Sequence, residues 1–144
     1  MSACTFFGHR DLYGIDEHKL MKAIEGLVFR GCTEFYVGNQ GSFDETVLYA
    51  LRRMKVLYPQ ISYTVVLAYL PSSGEEKVLY QKGETMLPDG IERVPKRFAI
   101  VYRNRYMIDK SDYVISAVRR SFGGASRFTE LSRKRGREVI NLLE

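Results

Sequence analysis

The chain has 144 residues, of which 45% are hydrophobic and 27% charged, with ten Tyr, eight Phe and two Cys. This composition excludes an intrinsically disordered chain, and the length predicts one domain, spanning residues 1–144. The longest uninterrupted apolar run, residues 65–70, is too short for a membrane span, which needs about 18–20 residues. Because no secretory leader is visible, we expect a cytoplasmic protein with no membrane partner.

The residues that most often bind metals are sparse. Cys4 and Cys32 are too few for a disulfide scaffold or a cysteine metal site, and we expect both to be buried free thiols. His9 and His18 have no other ligands at metal spacing. The sequence therefore predicts no bound metal and no cofactor.

The positive charge is concentrated in the C-terminal part of the chain. Residues 1–92 contain 9 basic and 12 acidic residues, a net charge of −3. Residues 93–144 contain 13 basic and 5 acidic residues, a net charge of +8. This asymmetry indicates an anionic partner, either a phosphate-bearing small molecule or a nucleic acid, unless the charge only maintains solubility.

Strands and helices alternate in the first half of the chain. A strand is predicted over residues 3–7, followed by a helix that Asp16 caps and Gly31 ends. The second strand covers residues 34–37. Four apolar residues have the spacing of a buried helix face: Leu20, Ile24, Leu27 and Val28.

The next helix is predicted to begin with a capping box, in which Ser42 and Glu45 satisfy the first amides, and to end before Pro59. Its buried face would consist of Val47, Leu48, Leu51 and Met54. The apolar stretch at residues 62–70 is typical of a strand covered on both faces. Residues 71–90 are rich in turns, with a short helix at 75–82, and residues 91–94 would form a fourth strand.

The alternation continues to the C-terminus. Pro95 is suited to the first turn of a helix that extends to about residue 110. A strand over residues 112–118 leads to the Gly123-Gly124 turn. Ser126 would cap a helix to about residue 134, and the last strand covers residues 138–142.

This order of elements predicts an α/β fold, a three-layer Rossmann-like sandwich with a mostly parallel sheet in a single domain. Such sheets bind ligands outside the carboxyl ends of their strands. Three loops lie at that edge: residues 8–11, 38–44 and 121–127.

Each loop contains residues suited to an anion. The glycine-rich loops beginning at Gly38 and Gly123 each precede a predicted helix, whose first amides and dipole attract phosphate. Neither loop has the spacing of a dinucleotide fingerprint or a Walker A motif. His9 either contacts a ligand or caps the end of its strand. The segment 96–112 is rich in arginine, and Arg105 with Asp109 has the spacing of a surface ion pair.

Three segments together resemble the SLOG superfamily, the Rossmann-like group that includes the Lonely Guy proteins and the DNA-processing protein Smf. They are Gly8-His9-Arg10, the stretch from Arg103 to Asp112 with the pattern Arg-Asn-x-x-Met-x-Asp-x-Ser-Asp, and Gly123-Gly124. The resemblance covers nearly the whole chain. It is closest to small bacterial and phage members of unassigned function.

Lonely Guy enzymes are phosphoribohydrolases marked by Pro-Gly-Gly-x-Gly-Thr-x-x-Glu. The resemblance aligns Arg103 and Glu130 with the functional Arg and Glu of those enzymes. Phe122, Ser126 and Arg127 stand where the marker has Pro, Gly and Thr, and Asn104 stands where a Lys follows the Arg. The resemblance to Smf implies binding of single-stranded DNA, for which the basic stretch 133–137 is a candidate.

We therefore expect a module that binds a nucleotide or nucleotide-derived ligand. A nucleoside monophosphate N-glycosidase with Glu130 and Arg103 as catalytic residues is the first alternative, and single-stranded nucleic-acid binding is the second. Closure over the ligand would come from loops or from another subunit of a homo-oligomer. The candidate ligand-binding residues are Gly8, His9, Arg10, Gly38, Asn39, Gln40, Gly41, Asp44, Glu45, Arg103, Asn104, Asp109, Gly123, Gly124, Ala125, Ser126 and Arg127.

Overall fold

The protein is described by a computed structural model that covers residues 2–70 and 79–143. The strands are β1 (Ser2–Gly8), β2 (Cys32–Val37), β3 (Ser62–Val66), β4 (Thr85–Met86), β5 (Tyr113–Ala117) and β6 (Glu138–Asn141). The helices of the described residues are α1 (Glu17–Phe29), α2 (Ser42–Leu57), α3 (Ala99–Lys110) and α4 (Gly124–Lys134).

The six strands form one sheet in the order β4-β3-β2-β1-β5-β6, and every neighbouring pair is parallel. The α/β class and the Rossmann-like sandwich expected from the alternation of elements are confirmed. The chain leaves β1 toward β2 on one side and leaves β5 toward β6 on the other. The loops that follow β1 and β5 therefore diverge, which opens a crevice at the carboxyl edge between these strands.

Successive residues of β1 belong to the two layers of the core. Phe6 packs in the cluster formed with α1 and α2, whereas Phe7 packs with Met107 of α3 and Phe128 of α4. This alternation places a helical layer on each face of the sheet, as a parallel sheet requires. The apolar residues predicted for the inner faces of α1 and α2 are all buried.

Two smaller expectations from the first half of the chain are also confirmed. Asp16 caps α1, because its carboxylate accepts hydrogen bonds from the amides of His18 and Lys19. Cys4 and Cys32 are buried and free. Among the described residues, no helix is both long enough and apolar enough to cross a membrane.

The predicted strand at residues 91–94 is wrong. Ile91–Arg93 is a 3-10 turn, which Gly90 introduces with a φ of 83°. The edge strand is instead Thr85–Met86, which pairs with Val65 and Val66 of β3. Glu84 holds the start of this strand, because it binds Arg52 through both carboxylate oxygens. Most of the helix predicted over 75–82 lies outside the described residues.

The predicted starts of three helices also need correction. Glycine, not serine, precedes α2 and α4: Gly41 and Gly123 have φ values of 97° and 98°, and neither helix has a side-chain cap. The Ser42–Glu45 capping box and the Ser126 cap are therefore wrong. The Ser42 hydroxyl donates to carbonyls of the loop after β1, and the Ser126 hydroxyl donates to the carbonyl of Arg120 in the loop before α4. Residues 96–98 form a 3-10 turn, and α3 begins at Ala99.

Gly8 ends β1 where α2 comes closest to the sheet. A Cβ atom at this position would lie 2.3 Å from ring atoms of Phe43, which is fully buried in the first turn of α2. No side chain fits there unless α2 moves. Gly8 therefore determines how near the start of α2 lies to the loop after β1.

We predict that Gly8→Ala lowers the free energy of unfolding by about 2 kcal/mol, because the added methyl overpacks Phe43. Gly26→Ala is the matched control, because nothing lies within 4 Å of a Cβ built at that position in α1. The control should be stabilised by about 0.5–1 kcal/mol, since alanine is the better helix former. Urea denaturation of both variants checks the prediction, and equal effects would contradict it.

Candidate functional site

A cleft of about 550 Å³ opens at the carboxyl edge of the sheet, where β1 and β5 diverge. It brings together the three loops singled out in the sequence and one face of α3. The predicted site residues that line it are Gly8, His9, Arg10, Gln40, Asp44, Arg103, Asn104, Gly123, Gly124, Ala125 and Arg127. Residues from all three loops and from the arginine-rich helix therefore meet at one site.

The loop after β1 and the loop after β2 are joined. Ser42 donates its amide to the carbonyl of Arg10 at 3.1 Å, and its hydroxyl donates to the carbonyls of Arg10 and Leu12. A Cβ atom at Gly41 would lie 2.4 Å from the Cα of Arg10, so a glycine is needed at this contact. The Arg10 side chain reaches the side-chain oxygen of Gln40 at 2.9 Å. These contacts hold the two loops as one wall of the cleft.

Arg103 lies at the base of the cleft and is only 1% exposed. Its Nη1 donates to the carbonyl of Val66 at 2.9 Å and to Oδ1 of Asn39 at 3.0 Å. Its Nε donates to Oδ1 of Asn104 at 2.8 Å. Burial lowers the pKa of this guanidinium, although an arginine stays protonated in proteins. The protein therefore holds a fixed positive charge away from bulk water.

Asp44 is the nearest carboxylate of the cleft to Arg103. One of its oxygens accepts the amide of Gln40 at 2.9 Å. Burial raises the pKa of Asp44 to about 6, while the Gln40 amide, Arg103 and Arg10 act in the opposite direction. A Cβ atom at Gly38 would lie 3.0 Å from Arg103 Cζ and 3.1 Å from Asp44 Oδ2, so glycine lets both charged groups approach the loop.

The charge of Arg103 is incompletely compensated. Within residues 2–70 and 79–143, no carboxylate oxygen lies within 4 Å of its guanidinium nitrogens, and its hydrogen bonds go to neutral oxygens. A buried charge without an opposite charge in contact is costly. An anion in the cleft would supply that missing charge.

His9 holds the loop after β5. It is buried, and its Nε2 accepts the amides of Arg119 at 3.1 Å and Arg120 at 3.3 Å. Burial, together with the charge of Arg120, lowers the pKa of His9, while Asp11 opposes this shift. A neutral imidazole is required, because only an unprotonated Nε2 accepts these bonds. Of the two roles considered for His9, the structure supports the structural one.

Arg120 and Phe122 line the cleft but were not among the predicted site residues. Arg120 pairs with Asp11 at 2.8 Å and lies over the ring of Phe122, 5.5 Å from its centroid. Phe122 is 68% exposed at the cleft wall. The sequence feature that could have identified them is their position directly after a buried strand, in a loop at the carboxyl edge.

The N-terminus of α4 forms the opposite wall of the cleft. Gly123, Gly124 and Ala125 line it, and Arg127 follows in the first turn of the helix. The Arg127 guanidinium lies 5.7 Å from the ring centroid of Phe128. The first amides of this helix and the charge of Arg127 together favour an anion at this wall.

The remaining predicted residues lie outside the cleft. Gly38, Asn39, Gly41 and Glu45 line a neighbouring cavity. Ser126 is buried under the loop carbonyl of Arg120. Glu130 is exposed and pairs with Arg133 at 2.6 Å, and Asp109 pairs with Arg135 at 2.5 Å. The structure therefore does not bring the carboxylate of Glu130 to Arg103.

The basic stretch 133–137 is largely occupied by contacts within the protein. Besides the ion pairs of Arg133 and Arg135, the Arg137 side chain donates to the carbonyls of Ile108 and Arg135.

The described part of the chain contains no group of three or more His, Cys, Asp and Glu side chains that could hold a metal ion.

We predict that acid destabilises the protein through His9. Because its pKa is lowered on folding, its contribution is present above about pH 6.5 and is lost as the pH falls below that value. Protonation would leave the amides of Arg119 and Arg120 without their acceptor, at a cost of about 1–3 kcal/mol.

His9→Gln is the matched variant, because glutamine offers an acceptor oxygen that does not titrate. The free energy of unfolding should fall more steeply between pH 7.5 and 5 in the wild type than in His9→Gln. All other side chains are the same in the two proteins, so the difference between the two profiles belongs to residue 9. Parallel pH profiles would overturn the role assigned to His9.

No protein-family model matches this chain, and no curated protein matches it either. Membership of the SLOG superfamily therefore stays a prediction.

Proposed function

We propose that the cleft binds a nucleotide or nucleotide-derived ligand, with its phosphate opposite Arg103. The single observation that carries this proposal is the buried guanidinium of Arg103, which lines the cleft and contacts no carboxylate of residues 2–70 and 79–143. A phosphate would bring the compensating negative charge and oxygens that accept charge-assisted hydrogen bonds. The favourable interaction gained on binding would offset part of the cost of burying Arg103.

The walls of the cleft add further support for an anion. The glycine before α4 leaves the first amides of this helix without a side-chain cap at the cleft wall. Helix N-termini carry about half a positive charge, which favours phosphate. Arg10 and Arg127 raise the potential of the same cleft, whereas Arg120 is already paired with Asp11.

The other lining residues suit the sugar and base of a nucleotide. Ile100 and Val101 of α3 present an apolar wall, and Phe122 offers an exposed ring on which a base can stack. Asp44 lies beside Arg10 and Arg103 and offers carboxylate oxygens to ribose hydroxyls. A site with an apolar wall and few polar groups is typical of small-molecule pockets.

The proposal is consistent with membership of the SLOG superfamily, which we propose on the same grounds. The Gly-His-Arg segment, Arg103 and the Gly-Gly segment are far apart in sequence and line one cleft. The position of Glu130, paired with Arg133 outside the cleft, favours binding over hydrolysis of a glycosidic bond. The contacts of residues 133–137 within the protein likewise give no support to nucleic-acid binding there.

Isothermal titration calorimetry against mono-, di- and cyclic nucleotides and ADP-ribose tests the proposal. At least one nucleotide should bind, and Arg103→Met should weaken its affinity about 100-fold, because the variant removes the buried charge that the phosphate contacts. Arg103→Lys keeps the charge but loses the planar guanidinium, so its affinity for the nucleotide should lie between those of the wild type and Arg103→Met.

Arg30→Met is the control. Arg30 follows α1 at the opposite edge of the sheet, where it is exposed and pairs with Glu138. This variant should bind as the wild type does. Absence of binding across the whole panel, or unchanged affinity in a folded Arg103→Met protein, would refute the proposal.

A further inference from the structure

A second cavity, of about 370 Å³, adjoins the cleft. Three tyrosines line it, Tyr13, Tyr49 and Tyr80, and Leu48 contributes an apolar side chain. Arg10 and Asp44 line both the cleft and this second cavity. The two spaces therefore share these residues as a common boundary.

The junction between the two cavities is cationic. Arg10 is held there by its bond to Gln40, at 2.9 Å. Arg103 lies near the same place, since its guanidinium and the carboxylate of Asp44 both approach within about 3 Å of the Cβ position of Gly38. Two arginines and one aspartate leave a net positive charge where the cavities meet. An anionic group of the ligand belongs at this junction.

Exposed aromatic rings lie on either side of the junction. Phe122 is in the cleft, and Tyr13 and Tyr49 are in the second cavity, where they are 80% and 52% exposed. Large rings exposed at the wall of a cavity offer stacking surface for a planar group. The arrangement of lining residues is therefore aromatic, cationic, aromatic.

We infer that the ligand is of the dinucleotide class, with two ring-bearing groups joined through phosphates. The phosphates would lie at Arg10 and Arg103, one nucleoside beside Phe122, and the other among the tyrosines. This inference rests on the proposed function, because it assigns a second half to the ligand of the same site. A mononucleotide fills one cavity only and leaves the other to water.

The test compares ligands that differ by one nucleoside. Calorimetry is run with ADP and diadenosine 5′,5′-diphosphate, and with GDP and diguanosine 5′,5′-diphosphate. In at least one base series, the dinucleotide should bind about tenfold more tightly than the mononucleotide, as expected for one added stacking contact.

Tyr49→Ala removes one ring of the second cavity from an exposed position, so the fold should be retained. The variant should lose most of the dinucleotide's advantage and leave the affinity for the mononucleotide unchanged. Phe29→Ala is the control, because Phe29 is an exposed ring at the end of α1, at the opposite edge of the sheet. This control should change neither affinity.

The possible outcomes separate this inference from the proposed function. If both ligands of the series bind equally well and Tyr49→Ala changes neither affinity, the inference is overturned and nucleotide binding stands. If Tyr49→Ala weakens the mononucleotide as much as the dinucleotide, the second cavity holds the base of a mononucleotide, which also overturns the inference. If none of the four nucleotides binds, the inference is overturned, and the wider panel of mono-, di- and cyclic nucleotides and ADP-ribose decides the proposed function.

Discussion

The carboxyl edge of this protein is organised around one buried positive charge. Arg103 has almost no exposure, and three neutral oxygens, from Val66, Asn39 and Asn104, accept its hydrogen bonds. Each acceptor comes from a different part of the wall, so the guanidinium connects the end of β3, the loop after β2 and its own helix. A charge buried in this way constrains its surroundings. If an acceptor is removed, an N–H group of the guanidinium is left buried without a hydrogen bond, which destabilises the folded protein.

The positions of the neighbouring loops are determined by close contacts at glycines rather than by side-chain caps of the helices. Gly8 admits Phe43, Gly38 admits Arg103 and Asp44, and Gly41 admits the backbone of Arg10. The serines at the helix starts then donate to loop carbonyls, and at α4 the first amides have no side-chain cap. The glycines thus bring the loops together, and the N-terminus of α4 stays open at the cleft wall.

The net charge of +8 in the C-terminal part divides into two populations. Arg133 and Arg135 form surface ion pairs, and such pairs contribute about 0–1 kcal/mol each. Arg103, Arg120 and Arg127 line the cleft, where Arg120 is paired with Asp11. Total charge predicted an anionic partner, and the position of each arginine decides which charges could meet one.

The sequence by itself determined the α/β class, the parallel sheet, the buried faces of α1 and α2, and the three loops at the carboxyl edge. These features follow from local periodicity and from the direction that helical crossovers impose on strands. Only the tertiary structure decided that Arg120 and Phe122 enter the cleft and that Ser42 binds the loop at Arg10. Those outcomes depend on side-chain directions and on contacts between distant segments, such as His9 with Arg119 across 110 positions. No local pattern contains that information, because the competing partners of each side chain are brought near only by the folded sheet.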